Sequence, residues 1–206
     1  MSHVAERKPV RRQIDKFAVR RAQLANSALH TLSKLGYAGT SLRDIAENSE
    51  FSHGVLHYYF RDKVDLITYC VRQYKAASVA RYDQVVTDST TSAELREQWI
   101  GALVKTLHQD APMHRLWYDL RNQSMFSESF RDDVRAIDSS LERMIGRIFG
   151  HYADLTGLRL AASPCLAYAL VDGVFQNALL GHLSGDEHAA ADLPGHLGFI
   201  LDSVVV

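Results

Sequence analysis

The sequence has little cysteine and no apolar segment of the kind that spans a membrane. The only two cysteines among 206 residues, Cys70 and Cys165, lie in apolar surroundings without metal-ligand spacing, which predicts buried, reduced thiols in a cytoplasmic protein. The N-terminus lacks the apolar run of a secretory signal. The most apolar long stretch, residues 164–183, includes an aspartate and two amide side chains, which hydrocarbon would penalise. We therefore expect no membrane span.

Motifs of enzymes are also missing. The sequence contains no Gly-rich phosphate loop, no Gly-x-Ser-x-Gly and no Cys-x-x-Cys, so cofactor-dependent catalysis is not expected. Some side chains have the chemistry of metal ligands, but their spacing favours surface loops over a metal site. These are His108, His114, His182, Asp186 and His188. The sequence predicts no catalytic residue, no cofactor and no metal.

Proline is absent between Pro9 and Pro112, and no strand-like alternation is present. Apolar residues instead recur at three- and four-residue steps, which predicts an all-α protein of about nine helices. The first helix is expected over about 11–35, with Gly36 ending it. Two short helices should follow, capped by Ser41 and Ser52.

The remaining helices are predicted from caps and prolines. A fourth helix should begin at Lys63, and others after Thr91 and at Pro112. A break is expected over 127–129, and Ser163-Pro164 should start a helix that ends near Leu183. The final helix is expected near 193–205, after a loop rich in His, Asp and Ala.

Charge is unevenly distributed although the formal net charge is −1. Up to Lys63 there are eleven Lys and Arg against six Asp and Glu, whereas the remainder has twelve against eighteen. Seven of the cations lie in the first 21 residues, where they could form a basic arm that seeks phosphates. The asymmetry favours a nucleic-acid-binding N-terminal part, and a solvated tail with a polar helix face is the alternative.

The two short helices form a candidate helix-turn-helix. The second would expose His53, Gly54, His57 and Tyr58, which can donate and accept hydrogen bonds while the glycine permits close approach of a DNA backbone. The alternative is a group of three structural helices that caps a bundle, with both histidines in solvent. Helical spacing by itself leaves both interpretations open.

A family resemblance favours the first interpretation. Residues 36–46 (GYAGTSLRDIA), followed by 52–66 (SHGVLHYYFRDKVDL), resemble the N-terminal DNA-binding domain of TetR-family transcriptional regulators. The similarity covers about 11–70 and joins a glycine-aromatic turn, the Thr-Ser start, an Ile-Ala pair, a Ser-x-Gly cap and an aromatic-Phe-x-x-Lys-x-x-Leu tail.

The resemblance implies a homodimeric repressor. A three-helix DNA-binding domain over 1–62, with its basic arm, would bind a pseudo-palindromic operator in double-stranded DNA, and a helical domain over 63–206 would hold a small-molecule effector and the dimer contacts. The alternative is a ligand-independent DNA-binding and dimerisation module, which predicts tight packing without a cavity.

The DNA contacts implied by the resemblance fall on matching positions. Thr40, Ser41 and Arg43 would meet phosphates or a base edge, and Lys63 would contact a phosphate at the start of the fourth helix. The base-reading surface would consist of Ser52, His53, Gly54, Val55, His57 and Tyr58.

Two positions in the turn depart from the family pattern. Glu50 stands at the usual glycine, which would cost about 1 kcal/mol if the bend needs a left-handed residue, so the turn is expected to be remodelled. Phe51 replaces a small aliphatic residue and is expected to fill the core of the N-terminal domain.

The C-terminal half is interpreted from residue types alone. Large apolar side chains with a few polar groups are typical of ligand pockets, although core packing is the alternative for each of them. Arg121 and Asp172 are charged residues on otherwise apolar helices, so each needs a partner, which is either a ligand or the other residue. The candidate ligand residues are Trp99, Leu103, Trp117, Tyr118, Arg121, Met125, Tyr168, Asp172, Phe175 and Gln176. Dimerisation through about 165–204 follows from the resemblance, with monomer core as the alternative for that apolar surface.

Overall fold

The computed structural model describes residues 7–36 and 39–206 and confirms the all-α prediction. Residues 37–38 of the glycine-aromatic turn and 1–6 of the basic arm lie outside the described residues. The described part contains nine α-helices and one 3-10 helix. They are α1 (Arg7–Leu35), α2 (Leu42–Glu47), α3 (His53–Tyr59), α4 (Lys63–Asp88), α5 (Ser92–Gln109), α6 (Ala111–Ser124), the 3-10 helix (Glu128–Phe130), α7 (Arg131–Thr156), α8 (Pro164–Leu183) and α9 (Glu187–Val204).

The chain forms two compact units, Met1–Val71 and Arg72–Val206. Helix α4 contributes residues to both of them. Its first turns belong to the first unit because Leu66 and Cys70 are fully buried there, with the Cys70 thiol donating to the Ala25 carbonyl at 3.3 Å. The domain border after residue 62 stays a prediction.

An apolar core holds the first unit together. Leu24 and Leu32 of α1 are buried with Ile45 of α2 and Leu56 of α3. Gly36 ends α1 as predicted: its φ of 74° is left-handed, and its N–H donates to the Leu32 carbonyl at 2.9 Å. Helices α2 and α3, of six and seven residues, are too short to be stable without this packing.

The second unit has its core between α5, α6, α7, α8 and α9. The indole of Trp99 packs edge-on against Phe149, with 5.4 Å between ring centroids. The predicted caps are confirmed, since the Thr91 side chain accepts from the Glu94 N–H and Ser163 accepts from the Leu166 N–H. None of the described helices combines the length and apolarity that crossing a bilayer requires.

The structure corrects the prediction for the last helix. Helix α9 begins at Glu187 rather than near 193, and Pro194 lies inside it. The Asp186 side chain accepts from the His188 N–H at 3.0 Å, and the alanines that follow favour helix. His188 is therefore not in a loop.

Two further predictions from the sequence were wrong. Cys165 is exposed, unlike Cys70, because it faces outward in the first turn of α8. His114 was expected in a surface loop, but it is buried within α6.

Close packing of α8 against α9 depends on Gly181. A Cβ atom at this position would lie 2.2 Å from the Cβ of Ala189, a distance that the backbone of α9 would have to relieve by moving. Around Gly101 of α5, in contrast, nothing lies within 4 Å of the place that a Cβ would take.

We therefore expect Gly181→Ala to destabilise the protein by roughly 1–3 kcal/mol through overpacking. Gly101→Ala is the matched control, and it should raise stability by up to about 1 kcal/mol because alanine favours helix. Urea unfolding of both variants checks the pair. Equal stabilisation by the two substitutions would contradict the close approach of α8 and α9.

Candidate DNA-binding surface and ligand cavity

The start of α2 is fixed by a reciprocal capping box. The Ser41 side chain accepts from the Asp44 N–H at 3.2 Å, and Asp44 Oδ2 accepts from the Ser41 N–H at 2.7 Å. The Ser41 hydroxyl also donates to Asp44 Oδ2 at 2.5 Å, and this bond, followed by the one from the Ser41 N–H, holds the pKa of the Asp44 carboxyl below its usual range. Ser41 remains exposed at this corner, as a phosphate contact requires.

The side chains next to Ser41 differ in their exposure to solvent. Arg43 is exposed and pairs with Glu47 at 2.9 Å, an exposed pair that DNA phosphates could replace. Thr40 is only 3% exposed, and its hydroxyl donates to the Gly36 carbonyl at 2.7 Å. The side chain of Thr40 thus closes the end of α1 rather than standing on the surface.

The turn between α2 and α3 is organised by Ser49. Its hydroxyl oxygen accepts from the Phe51 N–H at 3.2 Å, and its own N–H donates to the Ala46 carbonyl at 3.2 Å. Glu50 points into solvent. Phe51 is 7% exposed, which confirms it as a core residue of the first unit, and the Arg20 guanidinium lies 4.7 Å from its ring centroid.

Helix α3 presents a polar face to solvent. The Ser52 side chain caps the helix by accepting from the Val55 N–H at 3.4 Å. His53 and His57 are exposed one turn apart, with their Nε2 atoms 3.2 Å from each other. Gly54 lies between them in open space, since nothing is within 4 Å of where a Cβ would be. A DNA backbone could therefore approach α3 closely here.

Aromatic side chains border this face. Tyr58 is 73% exposed and meets Tyr59 edge-on at 5.0 Å between centroids, while the Phe17 ring of α1 lies 4.7 Å from Tyr59. Lys63 is partly buried at the first residue of α4. Apart from the buried Thr40 side chain and the half-buried Val55 and Lys63, the predicted DNA-contact residues are exposed in the first unit.

The second unit contains a partly open cavity of about 70 Å³, room for roughly five water molecules. Six of the ten predicted ligand residues line it: Leu103, Trp117, Tyr118, Tyr168, Asp172 and Phe175. The wall is mostly apolar and aromatic, with a few polar groups, as in small-molecule sites.

The other four predicted ligand residues do not line the cavity. Trp99 is fully buried in the core, and Met125 is 68% exposed. Gln176 lies on a separate outer groove between α6 and α8. Arg121 does not line the cavity but pairs with Asp172, which was the alternative to a ligand for these two charges.

Sequence reasoning missed most of the polar wall. Helix α4 contributes Lys75, Ser78 and Tyr82, and α6 contributes His114. Periodicity placed α4 as a connecting element, but the helical stripe could not show which of its turns would face a cavity. A lysine within an apolar stripe was the available signal.

An ionic network joins α6, α7 and α8 beside the cavity. Arg121 pairs with Asp172 through Nη1 and with Asp138 through Nε, the latter at 3.3 Å. Tyr118 donates to Asp172 at 3.0 Å, and Tyr168 donates to Asp138 at 2.6 Å. Burial, and then the nearby carboxylates, raise the pKa of both tyrosines.

Burial also lowers the pKa of the two basic side chains in the cavity wall, Lys75 and His114. It lowers the pKa of Lys75 to about 8, against the opposing effect of Asp172 and Asp138. Burial, followed by the charge of Lys75, lowers the pKa of His114 to about 2, so this imidazole is neutral at any ordinary pH. Its Nε2 lies 3.3 Å from the Tyr74 hydroxyl.

No group of three or more metal-ligating side chains is present in the described ranges. The rings of His108 and His182 do meet, with 5.0 Å between their centroids, which brings together two of the histidines that the sequence left in separate places.

Comparison with known proteins relates both units to bacterial regulators. Residues 24–70 match the family described as "Bacterial regulatory proteins, tetR family". The chain is 27% identical to the HTH-type transcriptional regulator BetI of Burkholderia thailandensis, over 85% of this chain and 89% of that relative. BetI of Paraburkholderia phymatum is 28% identical, over 82% of this chain and 84% of that relative. These similar proteins are transcriptional regulators and not enzymes.

Solved structures share the fold. A transcriptional regulator from Saccharomonospora viridis in complex with choline has a TM-score of 0.75 at 15% identity, covering 92% of this chain and 98% of that one. The regulator FadR from Bacillus subtilis in complex with stearoyl-CoA has a TM-score of 0.67 at 16% identity, covering 87% and 97%.

The buried, neutral His114 makes stability depend on pH. Its folded pKa, about 2, is below the ordinary value of 6.5, so between these values the unfolded chain binds the proton and the folded protein does not. We expect the free energy of unfolding to fall by up to about 1.4 kcal/mol per pH unit below pH 6.5 on this account.

The variant His114→Phe removes this proton-binding difference while keeping a ring in place. Urea unfolding at pH 7, 6 and 5 should give it a shallower loss of stability than the unsubstituted protein. His196→Asn, at an exposed histidine of α9, is the control and should keep the original slope. An unchanged slope in His114→Phe would contradict a neutral, buried imidazole.

Proposed function

We propose that this chain, a TetR-family transcriptional regulator, represses transcription by binding a pseudo-palindromic operator as a homodimer and leaves the DNA when a small molecule enters its cavity. The observation that carries the proposal is the presence of both parts in one chain: an exposed polar face on α3 and a mostly apolar cavity in the second unit.

The exposed face of α3 supports the DNA-binding part of the proposal. Ser41 and Arg43 would bind phosphates at the start of α2, and His53, Gly54, His57 and Tyr58 would enter the major groove. Ser52 and Val55 complete the surface through their place in the first turn of α3. In a two-fold dimer, two copies of α3 would reach half-sites about 34–36 Å apart or a multiple of this.

An apolar stripe on α8 supports the homodimer. Leu166, Leu170 and Leu180 are 53%, 41% and 65% exposed, and with Gly173 and Asn177 they follow alternating steps of four and three residues, the spacing of a helix-packing seam. Phe199 on α9 is 72% exposed. Exposed apolar side chains in such a row are typical of a protein interface.

The cavity supports regulation by an effector. Helix α4 begins at the proposed phosphate contact, Lys63, and further along carries Lys75, Ser78 and Tyr82 of the cavity wall. A ligand that favours one position of α4 would thereby change DNA affinity, with a coupling of typically about 1–3 kcal/mol. A ligand-independent module predicts tight packing in place of this cavity, so the cavity favours the regulated form.

Fluorescence anisotropy with the intergenic DNA that flanks its own gene tests the proposal. We expect specific binding over random duplex, with a strong salt dependence. Lys63→Ala should weaken binding almost equally for all sequences and lower the salt slope by about 1 per subunit, because one phosphate contact is lost.

His53→Ala should instead change the preference among operator sequences. Lys105→Ala, an exposed cation of the second unit, is the control for loss of charge and should leave the salt slope as it is. The assignment of α3 is wrong if neither Lys63→Ala nor His53→Ala alters DNA binding.

The proposed dimer interface has its own test. Leu170→Glu places a charge in the α8 stripe and should shift the protein from dimer to monomer in sedimentation velocity, with loss of operator affinity. Leu158→Glu introduces the same charge at a 51% exposed leucine outside α8 and should leave the dimer intact. A dimer that withstands Leu170→Glu would place the interface elsewhere.

A further inference from the structure

We propose that the cavity of the second unit takes a small anionic ligand, a carboxylate on a short apolar body, with its charged end against Lys75. This inference rests on the proposed function, because it assigns the chemical class of the effector to the same cavity. It follows from which charges around the cavity already have partners and which one does not.

The acidic groups near the cavity are fully engaged. Of the Asp172 oxygens, Oδ1 accepts from the Tyr118 hydroxyl and Oδ2 from Arg121. Of the Asp138 oxygens, Oδ1 accepts from the Tyr168 hydroxyl and Oδ2 faces the Arg121 guanidinium at 3.3 Å. Three of the four carboxylate oxygens thus accept a hydrogen bond, and the fourth, Asp138 Oδ2, is in an ion pair with Arg121.

Lys75 is the charged group of the wall that no carboxylate contacts directly, although Asp172 and Asp138 act on it from farther away. It is 8% exposed, and among the described residues no carboxylate forms an ion pair with it. An ammonium carries three donors, and burying it without an anion is costly. With a pKa of about 8, it is mostly protonated at neutral pH. An anionic group that entered the cavity would supply the missing partner.

The same lysine excludes a cationic ligand. Quaternary ammonium groups are bound over the faces of aromatic rings, but in this cavity the Lys75 Nζ already lies 5.3 Å from the Trp117 ring centroid and 5.7 Å from that of Tyr74. A ligand cation would compete with this ammonium for the ring faces and be repelled by it. Choline, which a structural neighbour holds, is therefore not expected to bind here.

The rest of the cavity wall determines the size and polarity of the uncharged part of the ligand. Leu103, Leu141, Met144, Ile145 and Phe175 contribute apolar surface, and a volume of about 70 Å³ limits the ligand to roughly half a dozen non-hydrogen atoms, the content of a few water molecules. Butanoate has this size and polarity, whereas hexanoate and benzoate are larger and test the size limit.

Isothermal titration of the full chain at pH 7 tests the inference directly. The probes are butanoate, hexanoate and benzoate, each paired with its neutral amide of the same shape, together with choline. We expect at least one acid to bind roughly ten- to a hundredfold more tightly than its amide, the contribution of hydrogen bonds to a charged group, and choline not to bind.

Lys75→Met removes the charge while keeping the length of the side chain, and it should abolish the preference for acid over amide. Lys105→Met, at an exposed position of α5, is the matched control and should retain the preference. The comparison of acid with amide in the unsubstituted protein stands even if Lys75→Met fails to fold.

Several results would overturn the inference: no acid binding below roughly 10 mM, equal affinity for acid and amide, acid binding that survives Lys75→Met, or binding of choline instead. The proposed function is tested separately by DNA binding. Carboxylate binding without release from the operator would support the ligand class and contradict the effector role. Operator binding without carboxylate binding would contradict the ligand class and leave the proposed DNA binding supported.

Discussion

The second unit depends on the network in which Arg121 holds two carboxylates. One guanidinium on α6 pairs with Asp138 on α7 and Asp172 on α8. The Tyr118 hydroxyl donates a hydrogen bond to Asp172, and the Tyr168 hydroxyl donates one to Asp138. Charges that are partly buried, as these three are, lose hydration and need partners within the protein. The network therefore fixes three helices relative to each other and leaves a cavity between them, with Lys75 as the charge of its wall in need of a partner.

The first unit is stabilised differently, because its short helices depend on a shared apolar core and on helix caps. Helices of six and seven residues have little stability of their own, so their positions are determined by Ile45, Phe51 and Leu56 beneath them. The capping serines use the free N–H groups at each helix start. What remains exposed is the polar face of α3, and its orientation is a consequence of the apolar residues on its opposite side.

The fold and the ligand class are determined separately. The helical framework is shared with distant regulators, and a framework alone does not assign a ligand. In this chain the ligand class follows from individual side chains, because a lysine above two aromatic faces and two fully paired acids together favour an anion.

The sequence by itself determined the helices, the caps and the resemblance of residues 36–66, because these depend on local periodicity and on short-range hydrogen bonds. Ser41, Ser52, Thr91 and Ser163 cap the helices that they were expected to cap. Two predictions from the sequence were wrong. Cys165, expected to be buried, is exposed, and α9 begins earlier than expected because Asp186 caps it.

Only the tertiary structure decided which side chains share the cavity. Trp99 and Trp117 are both tryptophans on helical apolar stripes, yet Trp99 lies in the core and Trp117 lines the cavity. Lys75 meets Trp117 across 42 positions of sequence, and such a contact exists only once α4 and α6 have packed. Helical periodicity gives the face on which a residue lies, and the packing of helices decides what that face meets.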